Sequence, residues 1–476
     1  MTTLLSLDRR DPAPLYRQIY ASFRARILAG ELRGGEPVPS TRDLSRELGV
    51  SRIPVLEAYG QLLAEGYLES RRGAGTFVAR ALAPADDERQ PARGQRRISA
   101  NAAALPPYER PVWAERLGAF QLGQPELRAF PVATWSRLVA RHSRNLRVRT
   151  LQYGDAFGLP ALREAIATYL RTSRGVHCDA GQVLIVSGSQ QALDLSARVL
   201  LDAADAAWVE EPGYWLVHHV LAAHGCRMVP VPVDGEGLDV ASGTKREAKA
   251  RVAFVAPSHQ SPLGVTMSAS RRLELLDWAQ RSSSWIVEDD WDSEYRYDTK
   301  PIAALQGLDR NARVVYIGTF SKVMFPSLRL GYAVVPPDLV ERFAAMRRAM
   351  DLCPPYLAQA PMADFLSGGH FARHLRRMRP IYARRRQLLV EAIAREIGAE
   401  LVGDAAGMHV AMFLDRCRSD HALAARALER GVQVSPLSAS YLGKPRQGLV
   451  LGFGNTPEAA ISPAVRKLAE AIEADR

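Results

Sequence analysis

A continuous apolar run, Val314-Val315-Tyr316-Ile317-Gly318-Thr319, ends three residues short of a lysine, Lys322. A run of this kind reads as a strand buried on both faces of a sheet. A lysine at the C-terminal end of such a strand costs desolvation unless its amine is paired, metallated or covalently used. Desolvation lowers the amine's pKa, and a neutral amine is what imine formation with an aldehyde requires. The position stands out because only six of the 62 basic residues are lysines, and the other five sit among turn residues or in a charged helix. Thr319, Ser321 and Arg329 flank it and could hold a phosphate. On spacing alone two readings stay open, a Schiff-base lysine and a lysine that snorkels from a strand end.

At 476 residues the chain is long enough for two or three domains with a large buried core. Its net charge of +11 favours polyanion partners. Cys178, Cys226, Cys353 and Cys417 are far apart, with no CxxC pair, which fits a reducing compartment. No signal-peptide core is present, and no run approaches the roughly 20 apolar residues that span a bilayer. The expectation is a soluble, cytoplasmic protein with no membrane partner.

The first 80 residues place Leu15, Ile19, Phe23, Ile27 and Leu28 on one helical face, with arginines opposite. Ser40 can cap a second helix over 41–48, Gly49-Val50-Ser51 makes a tight turn, and Ser51 can cap a third helix running to about Glu65. A hairpin follows, with Arg71-Arg72-Gly73-Ala74-Gly75 at its tip. Helix, short glycine-containing turn, helix and basic-tipped hairpin make a winged helix-turn-helix. Residues 1–80 carry 12 arginines against 9 acidic residues, so placement rather than net charge carries the argument. Arginines that open the second and third helices and tip the wing are aimed at base edges or phosphates. Val38-Pro39-Ser40-Thr41-Arg42, Glu47–Arg52 and Leu62–Val78 resemble the GntR-type regulators over about residues 12–79. That resemblance implies contact with double-stranded DNA through Arg42, Arg52, Arg72 and Gly73. Leu56 stands where some members carry a DNA-contacting arginine, so base preference is not carried over.

Residues 80–112 are rich in Ala, Pro, Arg and Gln with no sustained period, and read as a flexible linker. Arg93, Arg96 and Arg97 could add nonspecific phosphate contact, or be solvated.

From 113 onward strands and helices alternate, which implies an α/β body with a mostly parallel sheet covered on both faces and ligands at the C-terminal strand ends. Ser187-Gly188-Ser189-Gln190 is a strand–turn–helix junction whose free N–H groups suit a phosphate. Glu288-Asp289-Asp290 ends another strand, where a carboxylate could be a metal ligand, a base, or the partner of a protonated ring nitrogen. No HxH or HExxH spacing supports a metal, and none is expected.

The ordered set Tyr153–Gly158 with Leu162-Arg163, Ser187–Ala192, Glu211–Tyr214, Pro257–Gly264, Glu288–Tyr297 and Thr319–Tyr332 resembles aminotransferase fold-type I. With the GntR-like head, the whole chain looks like the MocR/GabR-type transcription regulators. The resemblance implies pyridoxal 5'-phosphate as cofactor, with Lys322 forming the Schiff base. It implies a phosphate turn at Gly188, Ser189 and Gln190, an aromatic stack from Tyr214, and Asp289 on the ring nitrogen. Thr319, Ser321 and Arg329 would lie at the phosphate. It also implies a head-to-tail homodimer in which Tyr153 reaches the phosphate of the neighbouring subunit. The body would divide into a large part over about 113–365 and a small C-terminal part over about 370–476. In the small part an arginine-rich helix over 376–398 would carry Arg384, Arg385 and Arg386 on a solvated face.

Three positions depart from an enzyme. Ser261 stands where aminotransferases place an asparagine, and Trp291 where many relatives place a tyrosine. Val450 replaces the arginine that clamps a substrate carboxylate, with Arg446 nearby in sequence. The expected function is a regulator that senses pyridoxal phosphate or an amine effector. The alternatives are an active aminotransferase with an appended DNA-binding domain, and a DNA-binding protein whose large domain is only a dimerisation scaffold.

Overall fold

The computed structural model describes residues 7–80, 97–107, 118–297, 302–403, 406–414 and 419–474, and divides the chain into two compact units, Met1–Arg97 and Ile98–Arg476. The first unit starts with helix α1 (Leu15–Leu28), which buries Ile19, Phe23 and Ile27. Helix α2 (Thr41–Glu47) begins where the Ser40 hydroxyl accepts the Asp43 N–H at 3.2 Å. Helix α3 (Arg52–Ala64) follows Ser51, whose side chain makes no capping bond. It buries Val55, Ala58, Tyr59 and Leu62 against α1, with Phe23 and Tyr59 packed edge to face at 5.5 Å. Strands β1 (Leu68–Arg71) and β2 (Gly75–Val78) close the unit as an antiparallel hairpin.

The expected linker is only partly describable, because residues 81–96, with Arg93 and Arg96, and 108–117 lie outside the described residues. Residues 98–107 cluster with the second unit. There the Ser99 hydroxyl accepts the Ala102 N–H and caps a single helical turn, Ala100–Ala103.

The second unit is organised by an eight-stranded sheet. Its strands are β3 (Val183–Val186), β4 (Ala206–Glu211), β5 (Arg227–Asp234), β6 (Gly237–Leu238), β7 (Val252–Val255), β8 (Trp285–Asp290), β9 (Val314–Thr319) and β10 (Gly331–Val334), in the spatial order 3-10-9-8-7-4-5-6. The five central strands β9, β8, β7, β4 and β5 pair in parallel. Val314–Thr319 is fully buried, because Val315 and Ile317 enter one apolar cluster while Val314 and Tyr316, alternating with them, enter two others. The exceptions to parallel order are β6 at one edge and β10, which is antiparallel to both β3 and β9. No described helix is long and apolar enough to cross a membrane.

A smaller antiparallel sheet follows, built from β11 (Leu401–Val402), β12 (His409–Phe413), β13 (Ser435–Pro436) and β14 (Gly448–Gly452), in the order 11-12-14-13. The arginine-rich helix begins earlier than its charge pattern implied, at His370, and runs to Glu396. Of its expected solvated face, Arg384 is exposed but Arg385 is not. Arg385 is buried, and its guanidinium donates to the Glu126 carboxylate and the Gly454 carbonyl, which pair a buried cation. Arg386 lies 5.7 Å from the centre of the Tyr297 ring. The segment Ala119–Gly123 runs past this small sheet: Gln433 N–H donates to the Ala119 carbonyl and Gly452 N–H to that of Phe120. That path brings Gly123 to the end of β9.

Candidate functional site

A cavity of about 470 Å³ opens at the C-terminal ends of β4, β7, β8 and β9, where an α/β sheet positions a ligand. Ser189, Tyr214, Asp289, Lys322 and Arg329 all line it, so five of the residues singled out by sequence meet there. Lys322 is half-buried and donates from Nζ to the Gly123 carbonyl at 3.1 Å. Burial pushes its pKa below the ordinary lysine value, while Asp292 and Asp289 oppose the shift. Gly123 has φ +69, which favours glycine, and a Cβ there would stand 2.5 Å from Nζ and push the mobile end of the lysine aside.

The three adjacent carboxylates of β8 separate by strand alternation. Glu288 accepts the backbone N–H groups of Leu305 and Gln306, both at 2.8 Å. Asp290 is held by Arg174 through two bonds of 2.9 and 2.7 Å and by the Tyr316 hydroxyl at 2.6 Å. Asp289 alone of the three lines the cavity. Its Oδ1 has no partner among the described residues, and burial, reinforced by Asp290, pushes its carboxyl up to about 7. A cation placed against that oxygen would favour its charged form.

Ser189 and Arg329 also line the cavity and, with Gly188 next to that lining, could hold a phosphate. Gly188, at φ +98, precedes the helix Ser189–Leu200 and gives its first N–H groups no side-chain cap. Arg329 takes a left-handed conformation, φ 47 and ψ 50, and donates to the Ser187 carbonyl at 2.7 Å. Its guanidinium thus lies directly over Gly188, 3.0 Å from where a Cβ would be. Tyr214 sits at the start of the helix Trp215–Ala223.

The remaining candidates fall outside the cavity lining. Gln190 donates to the Leu216 carbonyl, and Thr319 Oγ1 accepts the Ser321 N–H at 3.2 Å. The Ser321 hydroxyl is buried without a partner among the described residues. Tyr153 is 85% exposed, away from the cavity of its own chain, and Val148 and Leu151 beside it are exposed as well. Gly123 and Gln121 were missed by sequence reasoning, because no local pattern marks a segment that reaches the site by crossing from another sheet.

A second group was also invisible to motif spacing. His259, Asp292 and His409 are buried with potential ligand atoms within 4.8 Å of one another, a set that could hold a metal ion. Each already has a protein contact: His259 Nδ1 meets Asp292 Oδ1 at 2.7 Å, and His409 Nε2 donates to the Pro262 carbonyl at 2.8 Å.

The positions that depart from an enzyme are equally specific. Trp291 lines the cavity but gives its one N–H to the His259 carbonyl at 3.0 Å. Val450 is buried in β14, and Arg446 stacks on the Phe413 ring at 3.6 Å.

In the first unit Arg42, Arg52, Arg72 and Gly73 are all exposed. Arg52 donates to Thr41 Oγ1 at 3.1 Å, which ties the start of α3 to the start of α2. Gly73 has φ +76 with open space around it. Arg71 is turned back onto Glu69 and the Phe77 ring, so the two wing arginines are not equivalent.

Comparison with known proteins agrees with both units. Residues 15–78 match the bacterial regulatory proteins of the gntR family, and residues 121–466 match aminotransferase class I and II. The probable rhizopine catabolism regulatory protein MocR of Rhizobium meliloti is 42% identical over 98% of this chain and 96% of its own. The pyridoxine biosynthesis transcriptional regulator PdxR of Corynebacterium glutamicum is 28% identical over 98% of each. The kynurenine aminotransferase of Pyrococcus horikoshii, solved with PMP, superposes with a TM-score of 0.73 at 28% identity, covering 79% of this chain and 97% of that one. The chain belongs to the MocR-type transcription regulators, in which a GntR-type winged helix-turn-helix is joined to an aminotransferase-like, fold-type I body.

Proposed function

We propose that this regulator holds pyridoxal 5'-phosphate in the cavity at the sheet ends and uses it to read a small amine. The observation that carries the reading is Lys322. Its desolvated amine is held by a single backbone carbonyl, in a cavity shared with a buried Asp289 whose Oδ1 has no partner among the described residues. When bound, the cofactor supplies an aldehyde carbon that condenses reversibly with primary amines. Lys322 provides an amine that loses its proton more readily than a solvated lysine. Asp289 accepts a hydrogen bond from, and balances the charge of, a protonated ring nitrogen. The N–H groups after Gly188 and the Arg329 guanidinium neutralise a phosphate, and Tyr214 offers an aromatic face. The names of two similar proteins, one tied to pyridoxine biosynthesis and one solved with PMP, support the same cofactor.

The exposed segment with Val148, Leu151 and Tyr153 supports a head-to-tail homodimer, in which Tyr153 serves the neighbouring cavity. An effector that binds two arrangements of that dimer unequally shifts how the DNA-binding heads meet an operator. Amino-acid transamination is the weaker reading. Trp291 has no free donor, Val450 carries no charge, and Arg446 is stacked elsewhere.

The test is a titration of the full-length protein with pyridoxal phosphate, followed by visible absorbance, borohydride reduction and binding to DNA from the region upstream of its own gene. A covalently reducible absorbance that disappears in a folded Lys322→Ala variant is the expected result. An unchanged reducible adduct in that variant, or DNA binding indifferent to both cofactor and amines, overturns the reading.

A further inference from the structure

The cavity contains recognition groups that cofactor binding does not account for. Gln121 lines it two residues before Gly123, is 2% exposed, and has neither its side-chain nitrogen nor its oxygen partnered among the described residues. Gln433 lines it too, from the residues leading into β13, and its Oε1 is buried and equally without a partner there. Leaving a buried amide group without a hydrogen bond is costly. On the wall of a cavity that a small molecule enters, such groups select by being satisfied only by the right ligand.

The charges of the same wall narrow the choice. Among the described residues its cations are Lys322 and Arg329, the first at the amine position and the second on the phosphate cradle. His218 also lines the cavity, and burial holds it neutral, its pKa pushed down to about 4. At Val450, paired with Ser435 of the cavity wall, an aliphatic side chain is buried in place of a guanidinium. A carboxylate entering here finds one orphaned donor, Gln121 Nε2, but leaves unsatisfied both orphaned acceptor oxygens, Gln121 Oε1 and Gln433 Oε1. A carboxylate cannot donate to any of them. A hydroxyl both donates and accepts, and so satisfies an amide oxygen and an amide N–H.

We infer that the small molecule read by this cavity is a primary amine that carries neutral hydroxyl groups and no carboxylate, with Gln121 and Gln433 as its specificity-determining contacts. This rests on the reading that the cavity senses an amine beside pyridoxal phosphate.

Three matched amines test it on the full-length protein loaded with pyridoxal phosphate: serinol, L-serine, in which a carboxylate replaces one hydroxymethyl group, and isopropylamine, which lacks the hydroxyls. The readout is the concentration that half-saturates the visible absorbance change. Serinol is expected to act at about tenfold lower concentration than either of the others, as one or two hydrogen bonds to neutral partners provide. Gln121→Met, and separately Gln433→Met, should raise the serinol value toward that of isopropylamine and leave isopropylamine unchanged. L-serine acting at the same or lower concentration than serinol overturns the inference, as does no response to serinol or an unaltered serinol preference in both variants. Failure of the protein to acquire any visible absorbance instead removes the underlying cofactor reading, and this inference with it.

Discussion

Trp291 gives its single indole N–H to the carbonyl oxygen of His259 at 3.0 Å, so a ring that lines the cavity is also a tie between two strand-end loops. Removing that donor leaves a buried carbonyl unsatisfied. Trp291→Phe is expected to lower stability by about 1–3 kcal/mol, measured by urea unfolding, while pyridoxal phosphate affinity stays within a factor of about three of wild type. A large loss of cofactor affinity with unchanged stability would show that the indole works on the ligand instead.

Gly188 supports the cradle by its conformation as well as by its size, since φ +98 is a region that side-chain-bearing residues adopt under strain. Gly188→Ala is expected to cost about 1–3 kcal/mol, divided between folding and cofactor binding. The check is a pyridoxal phosphate titration alongside thermal unfolding. An alanine variant identical to wild type in both would mean that the turn relaxes freely.

Burial raises the Glu210 carboxyl from 4.5 to about 8 and that of Asp289 to about 7. In both, the native state holds a proton that the unfolded chain releases between its own pKa and the native one. Stability of the cofactor-free protein is therefore full below about pH 4.5 as far as these groups are concerned, and falls as pH rises toward about 8. Glu210→Gln should flatten part of this decline across pH 5 to 8, roughly the interval between the two pKa values. Denaturant midpoints across the interval measure it, and a slope identical to wild type would rule out a raised Glu210.

Arg52 opens α3 and Arg72 tips the wing, which predicts two different signatures on DNA. Arg52→Ala should weaken operator binding by about 1–3 kcal/mol and relax its sequence preference. Arg72→Ala should weaken all sequences alike and reduce the salt slope by about one. Fluorescence anisotropy at several salt concentrations separates the two. A uniform loss from Arg52→Ala would reassign it to the phosphate backbone.

The buried central strands were legible because Val314–Thr319 and its neighbours lack the polar alternation of a half-exposed strand, and the cavity follows from where they end. Strand β10 was not legible. Gly331–Val334 is four residues long and pairs with β3, which is remote in sequence, so no local pattern announces it. The Glu288-Asp289-Asp290 triplet showed that a carboxylate was present but not which one faced the cavity. That was decided by alternation and by distant partners such as Arg174 and Leu305. Arg385 read as solvent-facing because its partner Glu126 lies far away in the chain.

Thr319 and Gly331 face each other across the β9–β10 pairing, so the segment between them leaves the sheet and returns at a single rung of the ladder. Lys322 and Arg329 both hang from that pinned excursion. A molecule that displaces the lysine from Gly123 tugs on a leash fastened at both ends, and not one rung of the β-ladder has to open.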